Sequence, residues 1–424
     1  MTFNRRLPLL AGVGAMALGL SAGLAAATPR TNMLHQWATG SDAEAISKLG
    51  EMFTAAGGEW EQTSIAGHTA NTLAKLRADV VAGNAPPAVQ LKGPEIAEWN
   101  DTGMTMNLDE VAAAGNWDSV VAPELIEVMK PAGAWVAVPM NIHRVNWMYY
   151  NPSVLEAAGV AEAPKTWDEF NAACEKIVAA GKICVAHGSF DWTDATTFDS
   201  IVYGMDRDLY QAAFVEGDTE AMRSQGMIDA FAEYRKIVDN WMDPGMPGRP
   251  FEDAVAMMAN GDAAFFFMGD WTIGTLNAGG YTHGEDYECV QAPVNWGGNG
   301  YILNADSVVF FQQDEPEFQE GSVLLANTIM SPEFQAAFNQ AKGSIPARMD
   351  VDLSQGFNPC QVKSQKDLAA SIEEGTLVRS MAHNMTVAQS MRGAMMEVIT
   401  EFVNSDMAPE DAANAMADAV EANM

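Results

Sequence analysis

The chain carries 56 acidic side chains against 23 lysines and arginines. Carboxylate pairs therefore occur at every spacing, and no pair marks the two placed carboxyls of a glycoside hydrolase. Six histidines, at 35, 68, 143, 187, 283 and 383, show no H-E-x-x-H or comparable metal spacing. There is no G-x-S-x-G elbow, no G-x-x-x-x-G-K-S/T loop and no D-x-D-x-D-G-x5-E calcium loop. These residues call for no cofactor and no metal. What is plentiful is tryptophan, eleven in all, several beside polar residues, as in Asp191-Trp192 and Asp270-Trp271. Each Asp-Trp pair also reads as packing plus a helix cap. Indole faces suit the C–H faces of sugars, while neighbouring acids, amides and lysines hydrogen-bond hydroxyls. The pattern favours a binder over an enzyme.

Compartment follows from the N-terminus. Arg5 and Arg6 precede an uncharged apolar stretch from Leu7 to about Leu24, and Ala25 to Ala27 supply an A-x-A site before Thr28-Pro29. That layout predicts a secretory signal peptide over 1–27 and a protein that works outside the cytoplasm; the competing reading is a retained anchor. Phe3, Asn4 and Pro8 match the twin-arginine pattern poorly. Cleavage leaves 397 residues, enough for two domains, and takes the net charge from −33 to −35. Such a surface repels nucleic acid and anionic lipid. Four cysteines allow three pairings, and an oxidising compartment favours disulfides. Cys174–Cys184 is a sterically easy local pair, which leaves Cys289–Cys360.

The elements that must position these residues alternate. Strands are expected at 32–37, 88–91, 135–139, 263–268 and 307–311. Helices are expected from Asp42 as cap to about Ala56, over 69–82, from Gly93-Pro94-Glu95, from Thr166 with Glu169 as a capping box, and over 251–260. Two more are expected around Ser331-Pro332, then 387–404 and 409–423. The alternation predicts α/β layering with mostly parallel sheets. Twenty-seven methionines fall at core-like helical positions as flexible filler. No low-complexity linker separates two domains, which implies interleaved segments.

Several stretches carry a family likeness: HQWATGSDAEA (35–45), RADVVAGNAPPAVQLKGPEIAEW (77–99), AVPMNIHRVNWMYYN (137–151), PKTWDEF (164–170), ANGDAAFFFMGDW (259–271), ADSVVFF (305–311), FNQAKGSIPARMD (338–350) and MAHNM (381–385). With them, nearly all of the mature chain resembles the extracellular solute-binding proteins of ABC-type sugar importers, closest to the glucose/mannose-binding branch. The resemblance implies a periplasmic binding protein-like fold: two α/β lobes with interleaved segments and a ligand cleft between them. The N-terminal lobe would hold 31–143 and 302–345, and the C-terminal lobe 144–301 and 346–424. Closure on a monosaccharide would present a monomeric receptor to the membrane permease of the transporter.

The same resemblance places sugar contacts at Gln36, Trp37, Asp42, His68, Gln90, Lys92, Trp271, Asp306, Lys342 and His383. Trp37 and Trp271 would wall the ligand, Asp42 and Asp306 accept from hydroxyls, and Gln90, Lys92, Lys342 and His383 donate or bridge. His68 and His143 read first as loop or hinge residues. The family usually has tryptophan where this chain has Gln36 and glutamate where it has Asp42, so the pocket is altered. Two carboxylates against two lysines make a neutral set, suited to a neutral hexose, with a protonated His383 able to tip it toward an anion. A polyol or sugar acid, or a secreted carbohydrate-active enzyme, are the alternatives.

Overall fold

The computed structural model describes residues 1–2, 27–66 and 69–424. The expected signal peptide, over nearly all its length, and His68 lie outside the described residues. No helix among the described residues is long and apolar enough to cross a membrane.

Among the described residues, twelve strands form three sheets: β1 Arg30–His35, β2 Glu59–Ser64, β3 Ala88–Leu91, β4 Ala137–Pro139, β5 His143–Arg144, β6 Trp147–Tyr150, β7 Ile183–Val185, β8 Ala263–Met268, β9 Glu288–Gln291, β10 Tyr301–Asn304, β11 Ser307–Phe310 and β12 Leu377–Arg379. The first sheet runs β2-β1-β3-β11-β4, the second β7-β8-β6-β9, and a short third β12-β10-β5. The expectation of mostly parallel sheets needs correcting. β1 pairs parallel with β2 and β3, β7 with β8 and β10 with β12, but β11 runs antiparallel to β3 and β4, β6 to β8 and β9, and β5 to β10. The cause is the interleaving. A strand that enters a sheet from the other lobe needs no crossover helix and arrives in the opposite sense.

The third sheet joins two cores. Successive residues of a strand face opposite sides, and β10 uses this: Tyr301 and Leu303 enter the core of the first sheet, Ile302 that of the second. The chain crosses between the lobes through β5 and back through β10. The fold is thus mixed α/β, in two lobes of interleaved strands and helices.

Local signals were mostly met. The helix Trp167–Ala179 starts at Thr166, whose hydroxyl accepts from the Glu169 N–H at 3.2 Å. The return half of the capping box shifts by one residue, since Glu169 Oε2 accepts from the Lys165 N–H at 2.8 Å. Asp42 does not cap the helix Gly40–Ala55; it stands in the first turn, where a carboxylate suits the helix dipole, and takes a partner from elsewhere. Asp270 precedes the helix Trp271–Ala278 but makes no side-chain cap bond. Both disulfides are present as expected: Cys174 and Cys184 tie the helix Trp167–Ala179 to β7, and Cys289 and Cys360 tie β9 to the helix Pro359–Glu374. His283 approaches Cys289 and Cys360, but sulfurs bonded to each other are not thiolate ligands.

Candidate functional site

The C-terminal ends of β1 and β3 and the turn from β10 to β11 lie side by side in or beside the first sheet, and each carries predicted residues. Gln36 and Trp37 follow β1, Gln90 ends within β3, Lys92 follows it, and Asp306 sits in the β10–β11 turn. Pairing of β1 with β3 and of β3 with β11 aligns these ends. A polar chain results. Thr69 donates to Gln36 Oε1 at 3.0 Å, the Gln36 N–H donates to Gln90 Oε1 at 3.2 Å, and Gln90 Nε2 donates to Asp306 Oδ1 at 3.2 Å.

Asp306 is the hub. Lys92 Nζ lies 2.7 Å from Oδ1; Asn141 Nδ2 donates to Oδ2 at 2.8 Å; His143 Nε2 is 3.1 Å from Oδ2. Burial alone would raise the Asp306 pKa, but the Lys92 charge and His143 override it and hold the carboxyl well below its usual range. His143 is fully buried, and its other ring nitrogen bonds Asp270 Oδ1. Burial would depress the imidazole, yet Asp270 and Asp306 on either side hold its pKa above the ordinary value, while burial also raises the Asp270 carboxyl. Asp270 also accepts from the Arg144 N–H at 3.0 Å.

A second pair stands beside this one. Lys342 Nζ donates to Asp42 Oδ1 at 2.5 Å and lies 5.6 Å from the centre of the Trp37 ring. Burial would lower the Lys342 pKa, but Asp42 and Asp306 raise it. Trp37 rests on Phe338 with ring centres 5.7 Å apart. From the second lobe comes Trp271, edge-on to His143 at 5.3 Å, to His383 at 4.8 Å and to Trp192 at 6.2 Å. All nine predicted contacts among the described residues meet in one neighbourhood.

His383 differs from expectation. Burial, with the Lys92 and Arg392 charges next, holds its pKa well below the ordinary value, so it is neutral and does not tip the charge balance. Its Nε2 lies 2.9 Å from Thr196 Oγ1, and that hydroxyl already donates to the Trp192 carbonyl at 2.6 Å. His383 Nε2 therefore carries the proton, leaving Nδ1 an acceptor. Sequence reasoning also missed His143 as the bridge and Asp270 as its partner. Both stand in the motifs NIHR and GDW, so the signal was there, but a buried His-Asp pair is invisible until the lobes are joined.

Gly93 brings the lobes together behind Lys92. Its φ is +46°, and a Cβ there would stand 2.1 Å from the Asn384 carbonyl oxygen. The close approach lets Asn384 Nδ2 donate to Glu95 Oε1 at 2.5 Å. Burial pushes the Glu95 carboxyl up to about 7.

Residues 48–370 match the family described as bacterial extracellular solute-binding protein. A probable sugar-binding periplasmic protein of Brucella melitensis is 36% identical over 97% of this chain and 98% of its own length. Among solved structures, a chitin oligosaccharide binding protein superposes with a TM-score of 0.82 at 17% identity, over 93% of this chain and 98% of its own. A bacterial solute receptor described as having an exclusive preference for β-D-galactopyranose superposes with a TM-score of 0.78 at 16% identity, over 94% and 99%. The two structural likenesses bear on the fold, whereas the sequence matches extend through the polar cluster around Lys92 and Asp306. The chain belongs to the bacterial extracellular solute-binding proteins, which bind and carry and do not catalyse.

Proposed function

We propose that this protein is the periplasmic receptor of an ABC-type sugar importer, and that it captures a neutral monosaccharide unit, glucose-like or galactose-like, by closure of its lobes. The observation that carries this reading is the charge balance of the cluster. Lys92 and Lys342 face Asp306 and Asp42, the His143–Asp270 pair beside them adds no net charge whichever partner holds the shared proton, and His383 is neutral. A net-neutral set has no surplus cation for a sugar acid. Its carboxylates accept from hydroxyls, while its lysines, amides and the Gln36 side chain donate to them. Trp37 and Trp271 supply the aromatic faces, one from each lobe. The relative in Brucella melitensis, with its sugar-binding and periplasmic description, supports the substrate class and the compartment.

The ten contacts Gln36, Trp37, Asp42, His68, Gln90, Lys92, Trp271, Asp306, Lys342 and His383 are proposed in those roles. So are lobes of 31–143 with 302–345 and of 144–301 with 346–424, with Ala347, Val351 and Leu353 packed back against the first core. The receptor acts as a monomer that hands its ligand to membrane permease subunits. Small-angle scattering with and without a saturating hexose tests closure: the radius of gyration is expected to fall on binding, and an unchanged value at confirmed saturation contradicts it.

A further inference from the structure

The chain leaves one core and enters the other between Ile142 and Val145. Ile142 packs in the core of the first sheet and Val145 in that of the second, and their N–H groups donate at 2.8 Å to the Ile345 and Ile302 carbonyls. His143 and Arg144, the whole of β5, lie between them. His143 therefore stands on the crossing itself, and its side chain is buried there.

Each ring nitrogen of His143 holds a carboxyl from a different body. Nδ1 bonds Asp270, which follows β8 of the second sheet, and Nε2 lies 3.1 Å from Asp306 Oδ2, in the turn that enters β11 of the first. Asp270 has no freedom to drift from this ring. Its N–H donates to the Arg144 carbonyl at 3.1 Å, and its Oδ2 accepts from the Arg144 N–H at 3.0 Å. What Asp270 carries is Trp271. The indole folds back over Gly269, where a Cβ would run into the ring, so its position is fixed by the peptides on either side of Asp270. At the other end, Asp306 is saturated. Lys92 and Gln90 take Oδ1, Asn141 and His143 take Oδ2, and a carboxylate offers only about four lone-pair sites. A sugar hydroxyl that donates to Asp306 must displace or share one of these bonds. Asn141 Nδ2 also lies 3.0 Å from His143 Nε2, so the bond to His143 can loosen with Asn141 still in place beside the ring. What one imidazole nitrogen does is set by what the other bonds, and a change at Asp306 is felt at Asp270.

Resting on the sugar-receptor reading above, we infer that His143 is a positioning residue of the binding site: without touching the sugar, it sets the Asp306 carboxylate against the Trp271 wall across the crossing between the lobes. The rigid planar ring fixes the spacing of the two carboxyls, one that holds the ligand and one that carries the aromatic wall. Filling the first half of the site is thereby transmitted to the second.

Calorimetry with the tightest-binding of glucose, galactose, mannose and xylose tests this through His143→Gln and Asp270→Asn, each made in the wild type and in Trp271→Ala. Asp270→Asn keeps a side-chain oxygen for the Arg144 N–H and both main-chain bonds, so it breaks the same link with the least disturbance of the fold. In the wild type each change is expected to weaken binding roughly tenfold, the size of one good hydrogen bond. In Trp271→Ala the further loss should shrink to about threefold or less, because the wall that the link positions is already gone. A structural defect, or a direct contact of His143 with the sugar, would cost the same in both backgrounds. Equal losses in the two backgrounds therefore overturn the positioning role, as does wild-type affinity in Asp270→Asn, and both leave the receptor reading intact. Binding of none of these sugars by the wild type overturns the receptor reading and this role with it.

Discussion

Lys92 Nζ sits 2.7 Å from Asp306 Oδ1, with 9% and 2% of the two side chains left exposed. Lys92 comes from the end of β3 and Asp306 from the β10–β11 turn, so the pair staples the first pass of the chain to its return. A pair this buried offsets its desolvation only when the remaining lone pairs are filled, and Gln90, Asn141 and His143 fill them. Removing one partner strands the other. Lys92→Met is expected to lower the unfolding free energy by ~3–5 kcal/mol. Lys92→Met with Asp306→Asn should cost less than the two single changes added together. Urea unfolding of the four proteins measures this, and strictly additive losses would show the pair to be uncoupled.

The two tryptophans should carry binding more than folding. Trp271 is only partly buried, and Trp37, although buried against Phe338, follows β1 and lies 5.6 Å from Lys342 Nζ at the polar cluster. Trp37→Ala and Trp271→Ala are each expected to weaken the best-binding sugar at least tenfold, which is ~1.4 kcal/mol or more. Intrinsic fluorescence titration would read the affinity of each variant. Two variants with wild-type affinity would place the ligand elsewhere.

A pH dependence follows from two buried carboxyls behind the His383 loop. Burial raises Glu95 to about 7 and Asp199 to about 7. Asn384, the Lys92 N–H, Arg392 and Lys92 face Glu95, while Ser380, the Ala382 N–H, Tyr210 and Arg392 face Asp199. Both folded pKa values lie above the unfolded ones, so each group's contribution is fully present below about pH 4 and is lost as pH rises through 7. The size is on the order of 3 kcal/mol per group. His35 and His383, both lowered by burial, act in the opposite sense below their ordinary 6.5, so the wild-type curve is a sum. The difference between wild type and Glu95→Gln/Asp199→Asn isolates the carboxyls. Melting temperatures from pH 5 to 8 should show the wild type losing stability relative to the double variant as pH rises. A difference that stays constant across that range would contradict the assignment.

Much of this was legible beforehand. β3 and β8 lie at their expected residues, and the helix over 69–82 ends one residue early, because short apolar runs and helical periodicity are local signals. The nine described candidate residues converge because Gln36, Trp37, Gln90, Lys92 and Asp306 lie in or just beyond paired strands, and the helix ends that carry Asp42, Trp271 and Lys342, with the His383 loop, abut them. Illegible was whatever depends on how the lobes meet. Asp42 and Asp270 looked like helix caps, since each lies near a helix start, but each meets a basic side chain brought by a distant segment, Lys342 and His143. Strand direction was misjudged for β11, and β6 was not foreseen as a strand; the sense of both is set by crossings between lobes and not by alternation along the chain. His383 could not be assigned a charge without the lysine and arginine placed near it.

The disulfides should differ in worth. Cys289–Cys360 spans 71 positions and Cys174–Cys184 spans 10. In the chain-entropy account the longer closure contributes about 4 kcal/mol and the shorter about 3. Cys289→Ser/Cys360→Ser is expected to lower the urea midpoint more than Cys174→Ser/Cys184→Ser. The reverse order would show that local packing around β7 outweighs loop closure.

The central claim is that a balanced set of charges selects a neutral sugar. Titration calorimetry of the purified mature protein against glucose, galactose, mannose and xylose, their matching sugar acids and common polyols tests it most directly. At least one neutral sugar should bind, with strong preference among epimers, because the wrong one leaves a buried polar group unpaired. It should bind more tightly than every acid and polyol in the panel. An acid or polyol bound a hundredfold tighter than every neutral sugar would contradict the claim.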